Sequence, residues 1–470
     1  MKRLKIALAL VLALSFAASA FAGGNKIVTF DRHMKSSEKF VQINSLGGTV
    51  ERELKLIGAV AAVFPEDVKD FKIWSLKGVT NVEDDLYLPW LNEASLQASP
   101  LPTLESVLAS AGELETPAAE PVLSFTRQED AELPWGVKRV NAAGAWPYVT
   151  GAGVKVAVID TGIDYTHPDL APNYKGGWNA VTQTSDPMDD QGHGTHVAGT
   201  VGAVRDGKGV AGVAPRAELY GVKVLDKNGS GQYSWIVAGI EWAVENKMQV
   251  INMSLGGRSG TAALAEVMKV AHKAGIAIVC AAGNDSGAVN FPARYPEAIA
   301  VSASASNDSI ASFSSRGPEI AVIAPGVSVY STRRGGGYTS MSGTSMASPH
   351  AAGLAALAVE AGNTGAEAVR EALKGAATQL PAVQPVHQGA GMVDAAKLIP
   401  AAAKNPGAFA WTVAGGVVAN YVYACVTTGC PDINIPRPSG NGEAPQQQPS
   451  SPQPHPYSQT EILHNIQRAQ

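Results

Sequence analysis

Cysteine is scarce in this chain, with three in 470 residues. That excludes a disulfide-built scaffold, and the size and apolar content must supply the core instead. Charge is scarce too: 16% of residues are charged and the formal net charge is −5, with no basic tract. A nucleic-acid surface needs clustered Lys and Arg, so that function class is excluded. Residues 133–399 carry 20 acidic and 20 basic side chains, so no strong field favours a highly charged substrate there. Residues 23–132 carry 18 acidic and 10 basic ones. Aromatic residues make up only 6%, whereas 49 glycines are present, which suits tight turns and close helix–sheet packing. Cys280 lies in an apolar run and reads as a buried thiol, while Cys425 and Cys430 are close enough in sequence to pair in an oxidising compartment.

What is present begins with Lys2, Arg3 and Lys5, then the apolar Ile6–Phe16, then Ala20-Phe21-Ala22. This is the pattern of a secretory signal peptide cleaved after Ala22, and it predicts a secreted protein, extracellular or periplasmic. Residues 23–91 read as a small α+β unit, with strands over Lys26–Phe30, Thr49–Leu56 and Val79–Tyr87, an apolar Ala59–Phe64 and a helix over Pro65–Leu76. Residues 92–130, rich in proline, alanine and glutamate, read as a linker. From 131 to 399, short apolar strands (Val154–Ile159, Glu218–Val224, Gln249–Met253, Ile276–Ala281, Ala298–Ala303) alternate with amphipathic stretches such as Ser234–Asn246 and Ala262–Ala274. That alternation predicts an α/β domain with a mostly parallel central sheet buried on both faces. Residues 400–470 form an extension with a Pro/Gln/Ser-rich part over 436–457 that reads as disordered. Within it, Gly407–Cys430 is uncharged and long enough to span a bilayer. Its glycines, threonines and Asn420, with no basic cluster following, make a membrane anchor the less favoured reading.

Three segments carry candidate chemistry. A strand ends on Asp160, followed by Thr161-Gly162. A strand-end Asp is most often a turn or cap residue, although catalytic groups in open α/β sheets gather at strand carboxyl ends. His193-Gly-Thr-His196 sits at a glycine-rich helix entry. The two imidazoles could hold a metal, but no HExxH pattern or third ligand accompanies them. The other possibility is one catalytic base, His193, with His196 packed in the core. Gly343-Thr-Ser345-Met-Ala-Ser-Pro349-His350 opens an apolar helix, where a serine is commonly a cap. Together the three supply what acyl transfer requires: a nucleophile (Ser345), a base (His193) and a carboxylate to hold the imidazole (Asp160). Asn284, just after a strand, can donate to the oxyanion.

These segments, in the order Asp, His, Ser, resemble the signatures of the subtilisin family. Gly192–Thr200, Lys223-Val-Leu225, Gly229–Ile236, Val250–Gly257 and Ala324–Val327 carry the likeness, which extends over 131–399. The resemblance implies a subtilisin-like three-layer fold and a serine endopeptidase of broad specificity with apolar preference, acting on proteins or peptides as a monomer. Gly229, Ser230 and Gly231 on one side, and Ser254, Leu255 and Gly256 on the other, would flank an extended substrate. Tyr233, Ile236 and Leu255 would line a pocket for the fourth residue before the cut. Gly257, Ala281, Gly283, Asn284 and Asn290 would help line the pocket at the cut, and Leu225 counts among the substrate-binding residues. Asn290 stands where glycine is common. A structural Ca²⁺ is implied at Asp169 and Asp206 with the carbonyls of Val204, Lys208 and Val210. The family's N-terminal amide ligand falls at Ala131, which leaves Asp130 or Glu132 to substitute. Residues 25–91 resemble the subtilisin propeptide, an intramolecular inhibitor and chaperone, which implies self-cleavage near Leu91–Asn92. Its segment Leu88-Pro-Trp-Leu91 would place Leu88 in the Tyr233 pocket and Leu91 in the primary pocket. Two other functions share much of this pattern: a peptide ligase on the same fold, and a degenerate binding module, which would need to have lost one of these groups.

Overall fold

The computed structural model describes residues 24–91 and 132–399. The segments expected to be signal peptide, linker and C-terminal extension, the last with its two cysteines and candidate span, lie outside the described residues. Among the described residues no helix is long and apolar enough to cross a membrane.

The N-terminal unit runs β1 (Gly24–Phe30), α1 (Ser36–Ser45), β2 (Thr49–Leu54), β3 (Ala59–Phe64), α2 (Asp70–Trp74) and β4 (Val79–Asp84). Its four strands form an antiparallel sheet in the order β2-β3-β1-β4. The sheet packs Val28, Phe30, Val60 and Phe64 against Ile43 and Ile73 of the helices. The helix expected over Pro65–Leu76 is confined to α2, and the last expected strand breaks at Asp85 before a short β5 (Tyr87–Pro89). Helix α1 has no strong apolar stripe and was not expected from the sequence; Ile43 is its buried apolar anchor.

The larger unit opens with short helices α3 (Trp135–Arg139) and α4 (Ala142–Ala145), followed by β6 (Lys155–Asp160), β7 (Tyr174–Asn179), α5 (His193–Gly202), β8 (Glu218–Lys223) and β9 (Ser230–Gln232). It continues through α6 (Tyr233–Glu245), β10 (Val250–Met253), α7 (Ala262–Lys273), β11 (Ala277–Ala281), β12 (Ala298–Ser304) and β13 (Ile320–Pro325). A hairpin, β14 (Val329–Thr332) and β15 (Tyr338–Met341), leads into α8 (Thr344–Glu360) and α9 (Ala366–Gly375), with β16 (Ala377–Thr378), α10 (Pro385–Gln388) and β17 (Met392–Val393) closing the unit. Nine strands form one sheet in the order β16-β17-β13-β12-β11-β10-β6-β8-β7, parallel except for β16 against β17.

Alternation of side chains along each strand builds two cores from one sheet. Val156, Val158, Ala277 and Val279 join the core that contains α5 and α8 residues. Ala157, Ile159, Ile278 and Cys280 join the core that contains α6 and α7 residues. This is the three-layer α/β fold that the continuous apolar strands predict.

The N-terminal unit docks on α6 and α7 through an apolar patch, Ile27, Leu54, Ile57 and Ala59, that joins their core, and through carboxylates. Asp85 accepts the Ser234 N–H at 2.9 Å at the start of α6. Glu83 accepts the N–H groups of Ala262 and Ala263, both at 2.8 Å, at the start of α7. These are the donors a helix leaves unsatisfied at its N-terminus, and each such cap contributes about 1 kcal/mol. In the reverse direction, Glu241 of α6 accepts the Leu56 N–H at 2.6 Å.

Candidate active site

Asp160 is the last residue of β6 and His193 the first of α5. Helix α5 can start that close to the strand end because Gly194 has no Cβ: one built there would lie 2.1 Å from the Gly162 carbonyl oxygen. His193 Nδ1 meets Asp160 Oδ1 at 2.8 Å and Oδ2 at 3.1 Å, with both side chains buried. Asp160 Oδ1 also accepts the Thr161 N–H at 2.7 Å. The carboxylate therefore fixes the imidazole with the proton on Nδ1 and leaves Nε2 as the basic nitrogen. Among the described residues that Nε2 is buried without a hydrogen-bond partner.

Ser345 is the second residue of α8. Its hydroxyl donates to the Ser254 carbonyl at 3.1 Å rather than to His193. The Asn284 amide oxygen accepts from the Thr344 N–H at 2.7 Å and from the Thr344 hydroxyl at 2.8 Å. The Thr344 hydroxyl in turn accepts the Gly283 N–H at 3.0 Å. Anchoring the oxygen sets the amide so that its NH₂ end is the donor. Thr344 was not singled out from the sequence, although it directly precedes Ser345.

His196 faces away from this centre. Its Nε2 lies 3.0 Å from the Val329 carbonyl and 3.2 Å from that of Thr339, so it donates there. Burial lowers its pKa to about 3, which makes it a neutral core histidine. The two imidazoles do not converge on a common ligand.

The cleft is occupied by the chain's own strand. β5 pairs antiparallel with β9, setting Tyr87 against Gln232, Leu88 against Gly231 and Pro89 against Ser230. The Trp90 N–H donates to the Gly229 carbonyl at 3.0 Å, and the Gly256 N–H donates to the Trp90 carbonyl at 3.1 Å. The segment is thus bound from both flanking edges. Trp90 packs edge-on against Tyr233 at 5.1 Å between ring centroids, lies beside Gly257, and donates its Nε1–H to Gly231 at 2.9 Å. Trp90 therefore covers Tyr233, and Leu88 packs against the same apolar cluster. Leu91 packs on Gly229 and joins the apolar cluster of Leu225, Tyr233, Ile236 and Leu255. A small cavity, about 20 Å³, next to Ser345 is bordered by Leu255, Gly256, Ala281, Gly283, Asn284 and Asn290, with Trp90 and Thr344. Leu91 is not among the residues that border it.

At the implied cation site, Asp169 is buried and its Oδ2 accepts the Val210 N–H at 2.9 Å. A Cβ on Gly209 would lie 2.3 Å from Asp169 Oδ2 and 1.9 Å from the Tyr338 hydroxyl, so this cradle requires glycine. Burial, then a hydrogen bond to Asp169, pushes the Tyr338 hydroxyl up to about 12. The carbonyls of Val204, Lys208 and Val210 accept no hydrogen bond among the described residues. Hard oxygens left available in this way fit Ca²⁺. Asp206 accepts the Lys208 N–H at 3.1 Å. Glu132 reaches the same loop, accepting the Gly207 N–H at 2.8 Å and lying 3.7 Å from Arg205, and Asp130 lies outside the described residues. Among the described residues no three His, Cys, Asp or Glu side chains cluster as a metal site, so such a site would rest on carbonyls.

A mostly parallel nine-stranded sheet with a buried Asp–His pair at its strand ends and a serine opening the facing helix defines the class. The chain belongs to the subtilase family, whose sequence profile matches residues 151–392. Within that family it is a subtilisin-like serine endopeptidase. It is 50% identical to subtilisin of Bacillus pumilus over 256 residues, which are 53% of this chain and 92% of that one. To subtilisin E of Bacillus subtilis (strain 168) it is 41% identical over 355 residues, covering 74% and 82% of the two chains. To M-protease of Shouchella clausii (strain KSM-K16) it is 46% identical over 285 residues, covering 58% and 74%.

Proposed function

We propose that this endopeptidase works through Ser345, His193 and Asp160, with Asn284 as oxyanion donor, and that it is secreted as a precursor which cuts itself. The observation that carries the catalytic part is the buried contact of Nδ1 with both Asp160 oxygens, which leaves Nε2 as the base. When a substrate carbonyl enters, the Ser345 hydroxyl turns from the Ser254 carbonyl to His193 Nε2 and gives up its proton as Oγ attacks the carbonyl carbon. Asp160 stabilises the imidazolium, and the Asn284 NH₂ receives the developing oxyanion. His193 then protonates the leaving amine, and water repeats the sequence on the acyl-enzyme.

Residues 23–91 are the propeptide in this reading, and the support is the occupied cleft: the unit's own strand is bound as a substrate would be. Trp90 and Leu91, both buried against the cleft, support an apolar preference before the cut. Ca²⁺, held by Asp169, Asp206 and the carbonyls of Val204, Lys208 and Val210, would tie the loop before β8 to the turn before β7. The experiment is Ser345→Ala in the full chain, assayed on casein and on a peptide library. Complete loss of hydrolysis is expected. Retained hydrolysis, or a strict requirement for Arg, Lys or Asp before the cut, would overturn the reading.

A further inference from the structure

Asp160 and His193 are joined a second time, beneath their own hydrogen bond, through a carboxylate that the sequence motifs do not single out. Asp189 lies in the loop before α5 and is 1% exposed. Its Oδ1 accepts the Thr161 hydroxyl at 3.0 Å and the N–H groups of Gln191 and Gly192 at 2.9 and 2.8 Å. Its Oδ2 accepts the Thr195 N–H at 2.9 Å and the Thr195 hydroxyl at 2.6 Å. Five donors thus converge on one buried carboxylate, and charge-assisted bonds of this kind are the stronger ones.

The bonds to Gly192 and Thr195 cap α5 and would stabilise any helix. The bond to Thr161 does something else. Thr161 follows Asp160 directly and donates its N–H to Asp160 Oδ1. Its hydroxyl, held by Asp189, accepts the Gly194 N–H at 2.9 Å. Its carbonyl accepts from the buried Lys223 Nζ at 2.8 Å, and the same ammonium reaches Asp190 at 2.6 Å and the Leu225 carbonyl at 2.7 Å. The residue next to Asp160 is therefore clamped to the residues on either side of His193.

We propose that Asp189 is a positioning residue that sets the Asp160–His193 geometry through Thr161. This rests on the reading of Asp160, His193 and Ser345 given above. A misplacement of about 1 Å in such a constellation can cost about 10²-fold in rate. The test compares Asp189→Asn, Thr161→Val, Thr161→Ser and Ser345→Ala in the full chain. Rates are taken per active site counted with a serine-directed acylating reagent, and the His193 Nδ1 proton resonance is followed by NMR. Asp189→Asn and Thr161→Val are expected to lower kcat by about 10–100-fold with KM within about twofold, and to shift or broaden that resonance. Thr161→Ser, which keeps the hydroxyl, is expected to recover most of the loss. If both variants merely melt earlier, with kcat per site and the resonance as in wild type, Asp189 is a helix cap and the proposal fails. Should Asp189→Asn not fold, the Thr161 pair decides by itself. Hydrolysis retained by Ser345→Ala would instead remove the underlying catalytic reading, so the two failures are distinct.

Discussion

Ser345 and Ser254 exchange hydrogen bonds: the Ser345 hydroxyl donates to the Ser254 carbonyl at 3.1 Å, and the Ser254 hydroxyl donates to the Ser345 carbonyl at 2.8 Å. The second bond exists because Pro349, four residues along α8, has no N–H to offer the Ser345 carbonyl. A proline inside a helix thereby fastens its first turn to the loop after β10. Ser254→Ala should leave that carbonyl buried without a donor and lower stability by about 1–3 kcal/mol. Thermal unfolding checks this, with an unchanged melting temperature counting against the role of the bond.

Asn284→Ala is expected to lower kcat by about 10²–10³-fold, the range known for loss of this donor in subtilisin itself. KM should change little. Because Thr344 loses its acceptor as well, a modest loss of stability should accompany it. A raised KM at constant kcat would assign Asn284 to ground-state binding instead.

Burial pushes the Glu241 carboxyl up to about 7 where the N-terminal unit covers it, against the ordinary value of 4.5. Burial also raises Asp85 in the same interface. The docked state therefore holds more protons than the separated one between these values, and docking weakens as pH rises through that window. Inhibition by the cleaved N-terminal unit should be tighter at pH 5 than at pH 8. Glu241→Gln, whose amide oxygen can still accept the Leu56 N–H, should flatten that dependence. An identical pH profile in the variant would exclude Glu241 as its source.

Calcium should slow thermal inactivation, since a ligand that binds only the native state stabilises it by mass action. Asp169→Asn should abolish the protection. An inactivation rate unaffected by chelator would remove this site from the account.

Ser345→Ala, expressed away from other proteases, should accumulate a precursor that lacks only residues 1–22. In the wild type, intact mass should show a cut near Leu91–Asn92. Cleavage of the variant between the two units would show that another enzyme performs the step.

The central strands were legible in the sequence because β6, β10, β11 and β12 are buried on both faces and so read as nearly continuous apolar runs. β7 was not, because Gly176 and Gly177 dilute its pattern. A Cβ on Gly177 would lie 1.9 Å from the Gly221 carbonyl oxygen, so close backbone approach dictates the residue that hides the strand. The residues of the site announced themselves through their motifs, but the contacts that hold them did not. Asp189 and Thr344 look like ordinary loop and cap residues until the chain is folded. The packing of Trp90 on Tyr233 was equally hidden, since alternation alone does not reveal that an indole N–H will reach back to Gly231.

β5 lies on β9 as part of the same chain, and that covalent link sets the terms of competition. A tethered strand faces its cleft at an effective concentration that can reach the millimolar range, independent of how much protein is present. Few substrates could displace it. Cutting the connection changes the currency from geometry to dilution: the same strand must then rebind from solution, and its occupancy falls with every increase in volume. A molecule released into a large space would thus switch on by being dispersed, and one held in a confined space would stay silent longer.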